Sequence, residues 1–163
     1  MAYTDYEFYT TKFFGDTVPE GDFPKYSERA SDRIDQYTFD RLVDGLPDNE
    51  RAKTKVQKAV CAVADAIYQI EQIKKASVDA TGTIQREDGT VVNKTVSSIS
   101  AGNESISYAT GSNAMGNSVY AQAAMDKKVE NVLLLNIATE YLSGVTNNDG
   151  VRLLYAGKRG MTW

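Results

Sequence analysis

The sequence predicts a mainly α protein. It reads as a small bundle of three long helices plus a short N-terminal helix, with a β-hairpin or extended excursion between the last two long helices and a short extended C-terminal tail. Three observations carry this expectation. Apolar residues recur at steps of three and four through most of the chain, the period of helices that bury one face. One long stretch breaks that period and holds Asp88-Gly89 between two runs of β-favouring residues, a strong two-residue hairpin signal. The composition, 163 residues with 42% hydrophobic, 25% charged and three prolines, suits one domain, residues 1–163, with a buried core.

The first helix is expected near residues 5–13. Thr4-Asp5-Tyr6-Glu7 has the capping-box pattern, with Thr4 as N-cap and Glu7 reaching back, and Gly15 stops the turn. Tyr6, Phe8, Tyr9, Phe13 and Phe14 are too many aromatics for an exposed face, so they are expected to pack on the bundle or on a neighbouring subunit. The second helix, 22–44, opens at Asp22-Phe23-Pro24, because proline is tolerated in a first turn, and closes at Gly45 and Pro47. Phe23, Tyr26, Ala30, Ile34 and Tyr37 form its stripe.

Asp48 or Asn49 caps the third helix, 48–75, whose core positions are Val56, Val60, Val63, Ile67 and Ile70, widened by Ala52, Ala59 and Ala66. Cys61 lies beside this stripe as a small packing residue. The fourth helix, 117–143, starts at Asn117 or Ser118 and stops at Gly144. Its core positions are Val129, Leu133 and Ile137. The segment VLLLNIA, 132–138, is apolar almost all round, which fits a central helix or one shared between core and subunit interface. Between the third and fourth helices the β excursion spans 81–111, and the tail spans 148–163, with 151–155 extended.

Function classes are narrowed mostly by exclusion. The chain has no histidine, which removes His-based general bases, Ser-His-Asp arrangements and the usual zinc sites. A single cysteine gives no internal disulfide. No run of about 18 apolar residues occurs, so no membrane span is expected, and the N-terminal stretch has acids where a signal peptide has bases. Gly111 and Gly116 repeat the glycine spacing of a phosphate-binding loop, but Asn117 stands where that loop needs its lysine. The stretch therefore reads as a turn into an N-cap. Asp32 and Asp35, interleaved with Arg29 and Arg33, look like an ion-paired helix face rather than a metal or acid–base pair. These exclusions lower the case for an enzyme while leaving carboxylate or lysine chemistry open, and no cofactor or metal is expected.

Charge is uneven along the chain. Residues 1–50 carry twelve acidic and five basic side chains, whereas 150–163 carry Arg152, Lys158 and Arg159 and no acid. An acidic body disfavours a DNA-gripping surface. Ten tyrosines and one tryptophan point towards protein interfaces.

Several spaced fragments carry a resemblance. Phe8-Tyr9, Gly15-Asp16-Thr17, Pro19-Glu20, Asp22-Phe23-Pro24, Ala30-Ser31, Ile34-Asp35, Thr38-Phe39 and Arg41 lead the chain, and NDGVRLLYAGKR, 148–159, closes it. Together they resemble the head–tail connector, or adaptor, proteins of long-tailed bacteriophages. The likeness is direct over about a third of the chain and holds in element order over nearly all of it. The 82–93 hairpin departs from the minimal family pattern.

The resemblance implies a structural virion protein without catalytic residues. It would be a homo-oligomeric ring of about twelve copies docked on the portal protein at the head–tail neck. It would present a platform for a stopper or tail-completion protein and be assembled in the host cytoplasm. Double-stranded DNA would pass through its lumen without specific binding. On this reading Val151, Arg152, Leu153, Leu154, Tyr155, Lys158 and Arg159 make the portal contact, while Asp88, Gly89, Ile99, Ile106 and Tyr108 make the intersubunit loop. Deleting 150–163 is then expected to leave a folded monomer. The alternative reading is a soluble, non-enzymatic binding or regulatory module that uses the 81–111 loop region.

Overall fold

A computed structural model describes residues 2–79, 81–85, 91–100, 105–109 and 118–155, with side chains described for 2–76 and 118–155. Among the described residues the protein is mainly helical. The chain divides into two compact units, Met1–Tyr68 with Asn131–Trp163, and Gln69–Glu130.

In the first unit, α1 (Tyr6–Phe8) runs directly into a single π-helical turn, Tyr9–Phe13. Asp5, not Thr4, is the N-cap, and its side chain accepts the Phe8 N–H at 2.8 Å. Thr4 is instead buried, its hydroxyl 3.8 Å from the Cys61 sulfur. The Thr10 and Thr11 hydroxyls donate to the Tyr6 and Glu7 carbonyls, which stabilises the wide turn. Gly15 does not supply the turn's flexibility. Phe14 takes the left-handed conformation (φ 60°), and Gly15 is needed for space, because a Cβ there would lie 2.1 Å from Cε2 of Tyr9.

The helix α2 (Phe23–Thr38) has Pro24 in its first turn and no side-chain bond from Asp22. Phe23, Tyr26, Ala30 and Ile34 are fully buried, at the helical spacing the sequence shows. Expected to continue to residue 44, the helix stops at Thr38. Phe39 and Asp40 both turn left-handed, and the Asp40 N–H reaches the Asp35 carbonyl. Leaving the helix here drops Leu42 into the core and leaves Tyr37, a predicted core residue, only half buried.

Asn49 caps α3 (Glu50–Asp79) by accepting the Arg51 and Ala52 N–H groups at 3.1 Å each. The helix runs past the expected end at 75. Val56, Ala59, Val60, Cys61, Val63 and Ile70 are buried, and Ile67 is half buried.

The expected fourth long helix is two helices, α4 (Val119–Met125) and α5 (Lys127–Leu142). Asp126 between them is extended and accepts the Lys128 N–H, acting as a fresh N-cap inside the sequence. The buried line of α5 is also one position later than expected. Glu130, Leu134, Ala138 and Leu142 are buried, while the predicted Val129, Leu133 and Ile137 are half exposed.

Gly144 (φ 75°) ends α5. The segment that follows is not simply extended. Asn147 accepts the Asp149 and Val151 N–H groups through Oδ1, which makes a tight turn, and Thr146 then pairs antiparallel with Arg152.

In the second unit, strands β1 (Thr81–Gln85), β2 (Val91–Ser100) and β3 (Ser105–Ala109) pair antiparallel in that order. Ile84 pairs with Val92 and Ile99 with Ile106, with a register shift between Val96 and Ser98. Asp88 and Gly89, the expected hairpin turn, lie outside the described residues. Ser118 stands at the N-cap of α4 without a side-chain bond. Glu130, 7% exposed, accepts from Lys74 at 2.9 Å and from Lys127 at 2.6 Å.

Candidate assembly surface

Two turns that lie more than a hundred residues apart in sequence meet in the first unit. The left-handed exit of α2 projects Phe39, Arg41 and Val43, and the turn after Gly150 presents residues 151–155. Arg41 joins them: its Nη1 donates to the carbonyl of Arg152 at 3.2 Å and to that of Leu153 at 2.9 Å. Its guanidinium carbon also lies 5.4 Å from the centroid of the Phe39 ring, a cation–π distance. A second tie runs from the Asp48 N–H to Asn148 Oδ1 at 2.8 Å. Beside Arg41 is a small cleft of about 160 Å³ that Asp44, Pro47, Asn147 and Asp149 also line.

Four large apolar side chains on these two turns face solvent: Phe39 at 53%, Val43 at 73%, Val151 at 38% and Tyr155 at 60% exposure. The charged residues Asp40, Asp44 and Arg152, neighbours of these side chains in sequence, are exposed as well, and exposed apolar groups beside charged ones make this a candidate contact surface. The adjacent Leu153 behaves oppositely. It is fully buried, and its N–H donates to the Val145 carbonyl at 2.9 Å. Leu153 is therefore a core residue and not a partner contact, which corrects the sequence expectation. For the same reason a deletion from residue 150 removes a core side chain, and a cut that keeps it must fall after Leu153.

The other predicted site residues distribute unevenly. Val151, Arg152 and Tyr155 are exposed and Leu154 is half exposed, while Lys158 and Arg159 lie outside the described residues. Ile99, Ile106 and Tyr108 are strand residues, Tyr108 paired with Val96. Val43, the exposure of Phe39 and the tying role of Arg41 escape sequence reasoning, in which Phe39 and Arg41 figure only as part of the resemblance. The available signal is an aromatic and a cation placed directly beyond the point where a helical stripe stops. A further apolar pair, Val132 and Leu135, lies exposed on α5.

Burial pushes the Cys61 thiol up to about 12, against a partly opposing bond with Thr4, so it is held as an unreactive thiol. Asp35 is tied to the Tyr3 hydroxyl at 2.7 Å, and Asp32 is exposed. Among the described residues no group of three or more His, Cys, Asp or Glu side chains could hold a metal ion, and no helix is long and apolar enough to cross a membrane. Compared with known proteins, the chain matches no protein-family model, no curated protein and no solved structure.

Proposed function

We propose that this protein is a structural subunit of a bacteriophage neck, a head–tail connector that assembles as a ring on the portal. The ring holds about twelve copies, offers a platform to a stopper or tail-completion protein, and surrounds the passing genome. The observation that supports this reading best is the Arg41 tie. It brings together parts of the two separated fragments that carry the connector resemblance, Arg41 beside Phe39 and residues 152–153, with Phe39, Val151 and Tyr155 exposed nearby in sequence. Fragments that are remote in sequence yet brought together in the fold are what a shared docking role leaves behind.

The acidic N-terminal third fits the same reading. Eleven of the twelve acids in residues 1–50 are exposed, and Asp35 alone is half buried. A wall of carboxylates repels phosphates and lets duplex DNA slide without counterion-releasing contacts. The 81–111 excursion, read as a projecting hairpin, completes the proposal as the contact between neighbouring subunits.

The test is binding to portal-containing heads. The double variant Val43→Ser with Tyr155→Ser removes two exposed apolar side chains, so it should fold as the wild type does and sediment with heads at least tenfold less well. Undiminished co-sedimentation by this variant would reject the 39–43 and 151–155 surface as the docking face.

A further inference from the structure

Two tyrosine hydroxyls fasten residues 2–13 to the remainder of the first unit, and each closes on a carboxylate that forms no ion pair with lysine or arginine among the described residues. The Tyr3 hydroxyl donates to Asp35 Oδ1 at 2.7 Å and lies 3.1 Å from the Leu42 carbonyl. The Tyr9 hydroxyl donates to Asp65 Oδ1 at 2.5 Å and accepts the Thr17 and Val18 N–H groups at 3.0 and 3.1 Å. That uses its one proton and both lone pairs. A single oxygen atom thus knots the N-terminal turn, the 15–18 link and α3. The Tyr9 ring is fully buried against Tyr6, Phe13 and Phe23, so the hydroxyl has no room to seek other partners.

The groups facing Asp65 are Tyr9 from the N-terminal turn, Asp16 from the link, Cys61 from its own helix and Tyr141 from α5. None is a cation. Among the described residues Asp35 faces Tyr3, Asp40 and Asp32.

We propose that residues 2–13 form a proton-controlled latch, fastened when Asp65 is neutral and loosened when Asp65 is ionised. The knot survives protonation, because a proton on Oδ2 leaves Oδ1 able to accept the Tyr9 O–H. Ionisation leaves a half-buried charge beside Asp16, with the Tyr9 hydrogen bond standing in for the part of its water shell that burial removes. Burial first and Asp16 second push the Asp65 carboxyl up to about 6, against the opposing pull of the Tyr9 bond. Burial raises Asp35 as well, so the second fastening responds in the same sense. Opening the latch returns Asp65 to water and its ordinary value of 3.8. The closed form is therefore favoured progressively as pH falls between those two values. Linkage gives an opening constant up to about tenfold larger at pH 7 than at pH 5.

Hydrogen exchange at the Thr17 and Val18 amides reads the knot directly, since both donate to the Tyr9 hydroxyl. After correction for intrinsic exchange, and relative to core amides of α3, their protection should fall up to about tenfold from pH 5 to pH 7. The Asp65→Asn variant should show no such change. Equal protection at the two pH values, or the same change in the variant, overturns the latch. A ¹³C titration of the Asp65 carboxyl in the unaltered protein decides independently of how the variant folds. A midpoint near 6 is expected, and an ordinary carboxylate midpoint overturns the proposal.

Discussion

Truncating Leu153 to alanine separates the two roles that the C-terminal segment could play. The side chain is fully buried, and the residue's own N–H is bonded to Val145. Removing a fully buried leucine beyond its Cβ costs about 2–4 kcal/mol, the transfer loss plus the cavity left behind. For a chain of this length that corresponds to a fall in melting temperature of roughly 4–16 °C. Tyr155, two residues on and 60% exposed, is the control, and Tyr155→Ala should stay within about 0.5 kcal/mol of the wild type. Thermal unfolding followed by circular dichroism at the helical band, with urea midpoints as a second measure, resolves the difference. If Leu153→Ala melts within 2 °C of the wild type, the 151–155 segment is not part of the folded core and the Arg41 tie is not holding it. If Tyr155→Ala is as damaging as Leu153→Ala, the division into a buried anchor and an exposed contact is wrong.

Two further outcomes follow from geometry and charge. Gly15→Ala drives a methyl to 2.1 Å from a Tyr9 ring carbon, and three hydrogen bonds hold that ring's hydroxyl in place. The variant should therefore lose at least about 2 kcal/mol of stability in urea unfolding, and an unchanged midpoint would mean the ring is free to move. At Glu130, burial pushes the carboxyl up, but the bonds from Lys127 and Lys74 outweigh it and hold the group below the usual carboxylate range. Its stabilising contribution is therefore present above the usual carboxylate value and lost as pH falls through the lowered one. Glu130→Gln should cost about 1–2 kcal/mol at pH 7 and nothing once the wild-type carboxyl is protonated; a difference that persists in strong acid contradicts the ion-pair account.

The core of α2 was legible because its stripe is narrow. With Phe23, Tyr26, Ala30 and Ile34 apolar and their neighbours charged, only one face can go inward, and those four residues are buried. The phase of α5 was not legible. With apolar residues on nearly all sides of VLLLNIA, periodicity cannot choose between a 129–133–137 line and the observed 130–134–138 line. The choice falls to Glu130, which finds two lysines and can be buried. The break before α5 carries a signal that is easy to pass over, since Asp126 is a good N-cap with no glycine or proline nearby to advertise it. The end of α2 carries almost none. Phe39 and Asp40 adopt left-handed conformations that local preference disfavours, and the burial of Leu42 overrides that preference. At the candidate assembly surface, composition marks the C-terminal fragment as distinctive. Local bonds to Val145 and Thr146 shape it, but its tie to the exit of α2 is a pair of hydrogen bonds from Arg41, 111 and 112 positions away, and no spacing rule encodes contacts at that separation.

Arg41 grips the far segment by two main-chain carbonyls and no side chain. Carbonyl oxygens are the same whatever residue bears them, so the grip is blind to the identity of residues 152, 154 and 155. Leu153 is constrained there by the core beneath it. The segment can thus change its outward chemistry by single substitutions while keeping its position. A binding face built this way can follow a changing partner over generations without the fold having to be renegotiated at each step.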